Sequence, residues 1–454
     1  MRLATCLIAT VALVARTGVA ITPPIPQDSS NTTKIPPPSA DPFYNVPDGI
    51  EDLPPGIVLR HRKPPSPITG FTFSADEFLR DAYQILYRTN DRTNTATATV
   101  VTVLIPHNPD FGKVVSLESA EDAASIDCAP SFGFQQASSL YPKLESPTAQ
   151  LQVLIAEDLL NRGWIVIVPD IQGPKAAYPP REIAAYASLD AIRATLNAAN
   201  LTGVKHDAKF AIWGYSGGAS AGLATVQVMP SYAPELNIVA AAIGGGTGDR
   251  PTSINLISHL NKSPTSNFIV IGILGAAGQD PEFAKEVEAH LKPEYRDHFY
   301  QAKHECLDAA KKTYANEDIL EMFDDPSFLN GITEIGAPTY RDVAPTVPIY
   351  WYQSKIDQLV PAWLAETAVQ NLCSQGANIH FVLDSVANVS HASYSVYGTE
   401  ASLDWLGEAL DGKKPAMGCS TAMVETKEVP RKFVEIFPPA LQKVIYQFAA
   451  SMEA

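Results

Sequence analysis

The sequence predicts an α/β protein: a mostly parallel sheet with helices on both faces, interrupted by an insertion. Three observations carry this. Apolar runs of strand length, such as residues 164–168 and 210–213, are continuous rather than alternating, as strands covered on both faces are. These runs alternate with helix-length stretches rich in Ala and Leu. The rhythm stops near residue 249 and resumes near residue 343, and the residues between are mixed and polar.

The composition fits. The 454 residues are 46% apolar and 18% charged, enough to bury a large core in one domain that carries an insertion. With 33 Lys and Arg against 49 Asp and Glu, the net charge is −16. That argues against a nucleic-acid partner, which rewards clustered cations, and against a cationic membrane anchor.

Residues 1–20 read as a secretory signal. Arg2 supplies a positive start, residues 3–15 carry no charge, and Gly18-Val19-Ala20 offers small residues for cleavage. The run is short for a membrane span. No other stretch approaches the eighteen uninterrupted apolar residues of a membrane span, so a secreted, extracellular protein without a transmembrane anchor is expected. Removing the signal removes Cys6 and leaves Cys128, Cys306, Cys373 and Cys419. An even number in an oxidising compartment suggests two disulfides, with three pairings open. Their spacing matches no zinc pattern, so no metal and no cofactor is expected. Asn31, Asn200, Asn261 and Asn388 each open an Asn-x-Ser/Thr sequon and are candidate glycosylation sites.

Residues 21–58 are proline-rich and should form an extended arm laid on the core or stay partly disordered. The core is expected over 59–248 and 343–454, and a helical cap over 249–342. Strands are expected at 95–105, 113–117, 164–168, 210–213, 238–243, 348–353 and 378–383. Helices are expected at 149–162, where Gly163 ends the helix, and at 182–200, 217–229, 361–373 and 402–410. Within the insertion, 281–291 and 295–314 have helical character.

The junction of the strand at 210–213 with the helix at 217–229 holds Gly214-Tyr215-Ser216-Gly217-Gly218, a Gly-x-Ser-x-Gly sequence. A nucleophile elbow needs a buried strand before it and a helix after it, and glycines where side chains would clash in the sharp turn. Ser216 would then stand exposed above the sheet edge. The Gly217 N–H, at a helix N-terminus, would point at a developing oxyanion. A serine needs a base and an orienting acid, and in the α/β-hydrolase fold these follow in the order Ser, acid, His at strand ends. Of nine histidines, only His391 lies beyond the elbow in a loop after a strand. For the acid, Asp357 follows the strand at 348–353 through a short turn. Asp384 competes, but it lies on the same connection as His391.

With these residues in place the chain resembles the fungal secretory lipases. Besides Gly214-Tyr215-Ser216-Gly217-Gly218, Ile356-Asp357-Gln358-Leu359-Val360-Pro361 and the His391 loop, the similar segments include Asp41-Pro42-Phe43-Tyr44, Ala120-Glu121-Asp122, Asp127-Cys128-Ala129-Pro130-Ser131 and Gly376-Ala377-Asn378-Ile379. The resemblance implies an α/β-hydrolase fold with Ser216, Asp357 and His391 as the triad. It implies Asp122 beside Gly217 in the oxyanion hole, the 249–342 insertion as a cap, and Cys128–Cys306 and Cys373–Cys419 as disulfides. A carboxylate facing an oxyanion repels it unless protonated, so Asp122 would act protonated, act through its backbone N–H, or merely order its own loop. Pro169-Asp170-Ile171-Gln172-Gly173 departs from the Asp-His-Glu-Gly form of the family, and the tail after Cys419 also diverges.

The function this implies is a serine ester hydrolase acting as a monomer on a small-molecule or lipid ester, with a lipid–water interface as a candidate partner. Residues 254–257 and 268–274 are the apolar candidates for lining the pocket. The family includes esterases that deacetylate fungal secondary metabolites such as trichothecenes, and the polar cap sequence keeps that alternative beside the lipase reading. A peptidase of the same fold would use the same three residues. A non-catalytic binding protein should lack one of them, and none is missing.

Overall fold

The computed structural model describes residues 33–71, 73–178, 181–246, 257–335, 343–387 and 389–450. The signal, the sequons at Asn31 and Asn388, and pocket candidates 254–256 lie outside the described residues.

The described residues form a ten-stranded sheet. In chain order its strands are β1 (Val58–Arg62), β2 (Leu79–Asn90), β3 (Ala96–Pro106), β4 (Asp110–Glu118) and β5 (Trp164–Pro169). They continue with β6 (Lys209–Tyr215), β7 (Ile238–Gly244), β8 (Ile349–Ser354), β9 (Ile379–Asp384) and β10 (Ser420–Val424). The spatial order is β1-β2-β3-β5-β4-β6-β7-β8-β9-β10. From β5 to β10 every neighbouring pair is parallel, while β1, β2 and β3 join antiparallel. This is the α/β-hydrolase arrangement.

The helices that matter below are α1 (Pro147–Asn161), α2 (Arg181–Asn197), α3 (Gly217–Tyr232), α4 (Asn267–Gln279), α5 (Pro281–His290), α6 (Leu307–Tyr314), α7 (Ala362–Ser374), α8 (His391–Leu410) and α9 (Pro439–Ala450). In β5, Ile165 and Ile167 join one apolar core with residues of α2, α3 and α7. Trp164, Val166 and Val168 join a second core with α1, α8 and α9. Covered on both faces, β5 has no place for a polar residue, which is why its sequence is a continuous apolar run. Residues of the insertion between β7 and β8 build a third core around α4, and Leu359, Val360 and Leu364 from the sheet domain complete it.

Three expectations need correction. The strand β2 precedes the first one expected from the sequence. It was hidden because it buries Gln84, Arg88, Thr89 and Asn90, and three of these are held by side-chain hydrogen bonds to Ser131, Asp190 and Tyr232. The helix expected at 402–410 is the end of α8, which begins at His391 itself. The stretch 295–314 is not one helix. Short turns give way to extended backbone at Glu305 and Cys306 before α6, and this extension lets the Cys306 N–H reach Lys143 O at 2.8 Å. In the described part of the proline-rich segment, Ile35 packs with Phe132, and Tyr44 and Ile50 pack against Leu86 and Val100.

Candidate active site

Ser216 stands between β6 and α3 with φ 57° and ψ −119°, a conformation that L-residues avoid. The turn closes because its neighbours carry no side chain. A Cβ on Gly214 would collide with Gly218 O, and one on Gly218 would collide with Glu118 O. The Ser216 N–H donates to Gly244 O at 2.8 Å, fixing the turn to the next strand. The side chain is left at the C-terminal edge of the parallel strands, beside the N-terminus of α3.

His391 is the first residue of α8. Its position is set by a capping box: the Ser390 hydroxyl accepts from the Ser393 N–H, and Ser393 Oγ accepts from the Ser390 N–H, each at 3.1 Å. The Tyr215 hydroxyl donates to His391 O at 2.6 Å, and the His391 N–H donates to Gln358 Oε1 at 2.9 Å. The ring Nε2 then lies 2.8 Å from Ser216 Oγ and Nδ1 lies 2.7 Å from Asp357 Oδ2. With the proton on Nδ1, Nε2 is free to accept from the serine. Asp357 is 5% exposed and is aimed by three donors. The N–H groups of Leu359 and Val360 reach Oδ1 at 3.0 and 2.7 Å, and Gln353 Nε2 reaches Oδ2 at 3.0 Å. The competing Asp384 is occupied elsewhere, with the N–H groups of Val386 and Thr426 and the hydroxyl of Tyr394.

Asp122 lies against Gly217, so closely that a Cβ on Gly217 would overlap its carboxyl. It is 3% exposed and has φ 45°. Burial pushes its pKa up to about 7, and the nearby His391 only partly offsets this. Two further buried carboxyls sit close by. Asp170 is raised to about 7 by burial. Glu121 is raised well above its ordinary value by burial and by Asp170. Three acids share one water-poor corner, and Asp170 and Asp122 add to burial in disfavouring the charge of Glu121.

Ser216 opens into two cavities that meet at its hydroxyl and at Asp122. The first has about 1100 Å³ of empty volume, solvent at its mouth included, and runs under the cap. Its roof is Phe268, Ile269 and Gly272 of α4, and Ile171 and Ala221 line it from the sheet domain. The second, about 720 Å³, lies between α1, α6, His391 and Phe448 of α9. The cap is fastened beside these cavities by the Cys128–Cys306 disulfide, by an Arg92–Asp280 ion pair at 3.0 Å, and by His259 Nε2 at 2.6 Å from Gln358 O.

The second disulfide, Cys373–Cys419, joins the end of α7 to the start of β10. Asn200 is exposed, whereas the Asn261 amide donates to Asp318 and accepts from Ile319. Among the described residues no group of three or more His, Cys, Asp or Glu could hold a metal ion. Sequence reasoning missed Gln353 and Gln358, which orient Asp357 and His391. Their only signal was proximity to Asp357 in the chain.

A model of the family described as secretory lipase matches residues 139–418, more than half of the chain. Lipase A of Arthroderma benhamiae is 37% identical over 397 residues, spanning 86% of this chain and 83% of that protein. Lipase 1 of Candida albicans is 32% identical, spanning 84% and 82%. The X-ray structure of Candida antarctica lipase A in its closed state superposes with a TM-score of 0.76 at 29% identity, covering 92% of this chain and 95% of that one.

Proposed function

The chain belongs to the secretory lipase family and is an ester hydrolase; from that premise we propose that Ser216, His391 and Asp357 carry the reaction and that the natural substrate is an ester of a long apolar acyl group. The observation that carries the reading is the hydrogen-bonded series Asp357–His391–Ser216 opening into the apolar cavity under α4. His391 Nε2 takes the serine proton as Oγ attacks the ester carbonyl. The carbonyl oxygen becomes an oxyanion held by the Gly217 N–H. Below about pH 7 the protonated Asp122 carboxyl adds a second donor. His391 then protonates the leaving alcohol, and water repeats the sequence on the acyl-enzyme, releasing the acid and restoring Ser216. Asp357 keeps the Nδ1 proton in place and stabilises the imidazolium.

The two cavities give the substrate's halves separate places. The apolar cavity takes the acyl chain, and the one beside His391 and Phe448 takes the alcohol, since His391 must reach the leaving oxygen. Removal of an acetyl group from a secondary metabolite would leave the first cavity nearly empty, so the lipase reading is favoured over that alternative. Secretion into the extracellular medium is part of the same reading. Among the described residues no helix is long and apolar enough to cross a membrane.

The test is Ser216→Ala, assayed on esters from acetate to long-chain glycerides and on an acetylated terpenoid. A fall in kcat of roughly 10⁴-fold or more is expected, with wild-type kcat/KM rising along the acyl series. Near-wild-type hydrolysis by the variant would sink the catalytic assignment. A preference for the acetylated terpenoid would sink the substrate assignment alone.

A further inference from the structure

Asp122 can serve an oxyanion only if its strained backbone is held still, and its own side chain is not what holds it. Two neutral amides grip the loop around it. From α1, Gln152 Oε1 accepts from the Ala120 N–H at 2.7 Å, and its Nε2 lies 3.3 Å from Ala120 O. From the turn after β5, Gln172 Nε2 donates to Ala123 O at 2.7 Å. The grip on that side is reciprocal, because the Gln172 N–H donates to Glu121 Oε1 at 3.1 Å and the Ile171 N–H donates to the same carboxyl. Residues 120, 121 and 123 are thus each fixed to a neighbouring element, and Asp122 lies between them with φ 45°. All four anchoring groups are buried: Gln152, Gln172, Glu121 and Ala123 are at most 7% exposed.

Resting on the reading that Asp122 and Gly217 face the oxyanion, we propose that Gln172 is a positioning residue for Asp122, and that its amide supplies at every pH the donor that the Glu of the family's Asp-His-Glu-Gly form supplies only while protonated. Ala123 O can only accept, so residue 172 has to bring a hydrogen. A carboxylate there has none, and it would add a fourth acid to the corner that already holds Glu121, Asp122 and Asp170. An amide donates at every pH. The catalytic loop is therefore kept in register by a group that does not titrate, in a corner crowded with groups that do.

The experiment compares Gln172→Met and Gln172→Glu with wild type on one soluble ester. Active sites are counted by a phosphonate that labels the nucleophilic serine, so that misfolded protein drops out of kcat. Gln172→Met keeps the volume and loses the donor. Its kcat per labelled site is expected to fall roughly 10- to 100-fold at all pH values, the cost of a small misplacement of catalytic groups, with KM changed less than about 3-fold. Gln172→Glu can donate while protonated and cannot once ionised. The ratio of its kcat to that of wild type is expected to fall about 10-fold or more between pH 5 and 8, with the acidic end showing rescue. A flat ratio across pH, or a Gln172→Met kcat within about 2-fold of wild type, overturns the proposal. Either result leaves the assignment of Ser216 standing, which only the Ser216→Ala assay can remove.

Discussion

At the scale of single residues the site is governed by where protons sit. Asp122 is neutral below about pH 7 and negative above it, because burial disfavours its charge. Neutral, it can donate to an oxyanion; ionised, it repels one. Activity should therefore fall as pH rises through about 7. Asp122→Asn supplies a donor that does not titrate, so the falling limb should vanish from its kcat–pH profile between pH 5 and 9. If the variant keeps a limb near pH 7, the side chain of Asp122 is not the group responsible. The residues bearing this chemistry were unequally legible. Ser216 and His391 could be chosen from a motif, chain order and strand ends, and the structure brings them within 2.8 Å. Gln152 and Gln172 could not. Each works by meeting a backbone atom that is distant in the chain, and nothing in a glutamine's flanking sequence announces such a partner.

At the scale of elements, α4 decides what fits under the cap. Its apolar sequence marked it as a pocket candidate, but only the packed helix shows which residues face the cavity. Phe268 and Ile269 fill their share of the roof. Gly272, one turn further, lines the cavity with nothing within 4 Å of where a Cβ would stand. A side chain there would occupy substrate space without displacing protein. Gly272→Leu should thus lower kcat/KM for a sixteen-carbon acyl ester by roughly 10-fold or more, given about 1–3 kcal/mol per methylene group excluded. Hydrolysis of acetyl or butyryl esters should change less than about 3-fold. Equal loss on all chain lengths would place the acyl chain elsewhere. Other elements were read well or badly for reasons of the same kind. Strands β5 and β6 were plain because both faces are apolar. Strand β2 was concealed by buried polar residues that hydrogen bonds make tolerable. The start of α8 was missed because its capping box uses Ser393 in place of the usual Glu or Gln.

At the scale of the whole molecule, burial of acids sets the pH range in which the fold is strongest. Glu118, Asp122 and Asp170 are raised to about 7 and Asp190 to about 6, against roughly 4 in an unfolded chain. Between these values the folded state holds protons that the unfolded state has released. Their contribution to stability is complete below about pH 4 and is lost as pH rises through 6 to 7. The thermal midpoint should accordingly be higher near pH 5 than near pH 8 in scans at fixed ionic strength. A higher midpoint at pH 8 would show that these carboxyls ionise without penalty. The two disulfides have a bearing beyond holding the cap. Residues 128–306 form one covalent ring that contains Ser216, and residues 373–419 form another that contains His391. A single proteolytic cut inside either ring leaves both fragments joined, so Ser216 and His391 each survive a nick that would otherwise separate a linear chain. Wherever proteases act, the cystines keep the pieces that carry these two residues together.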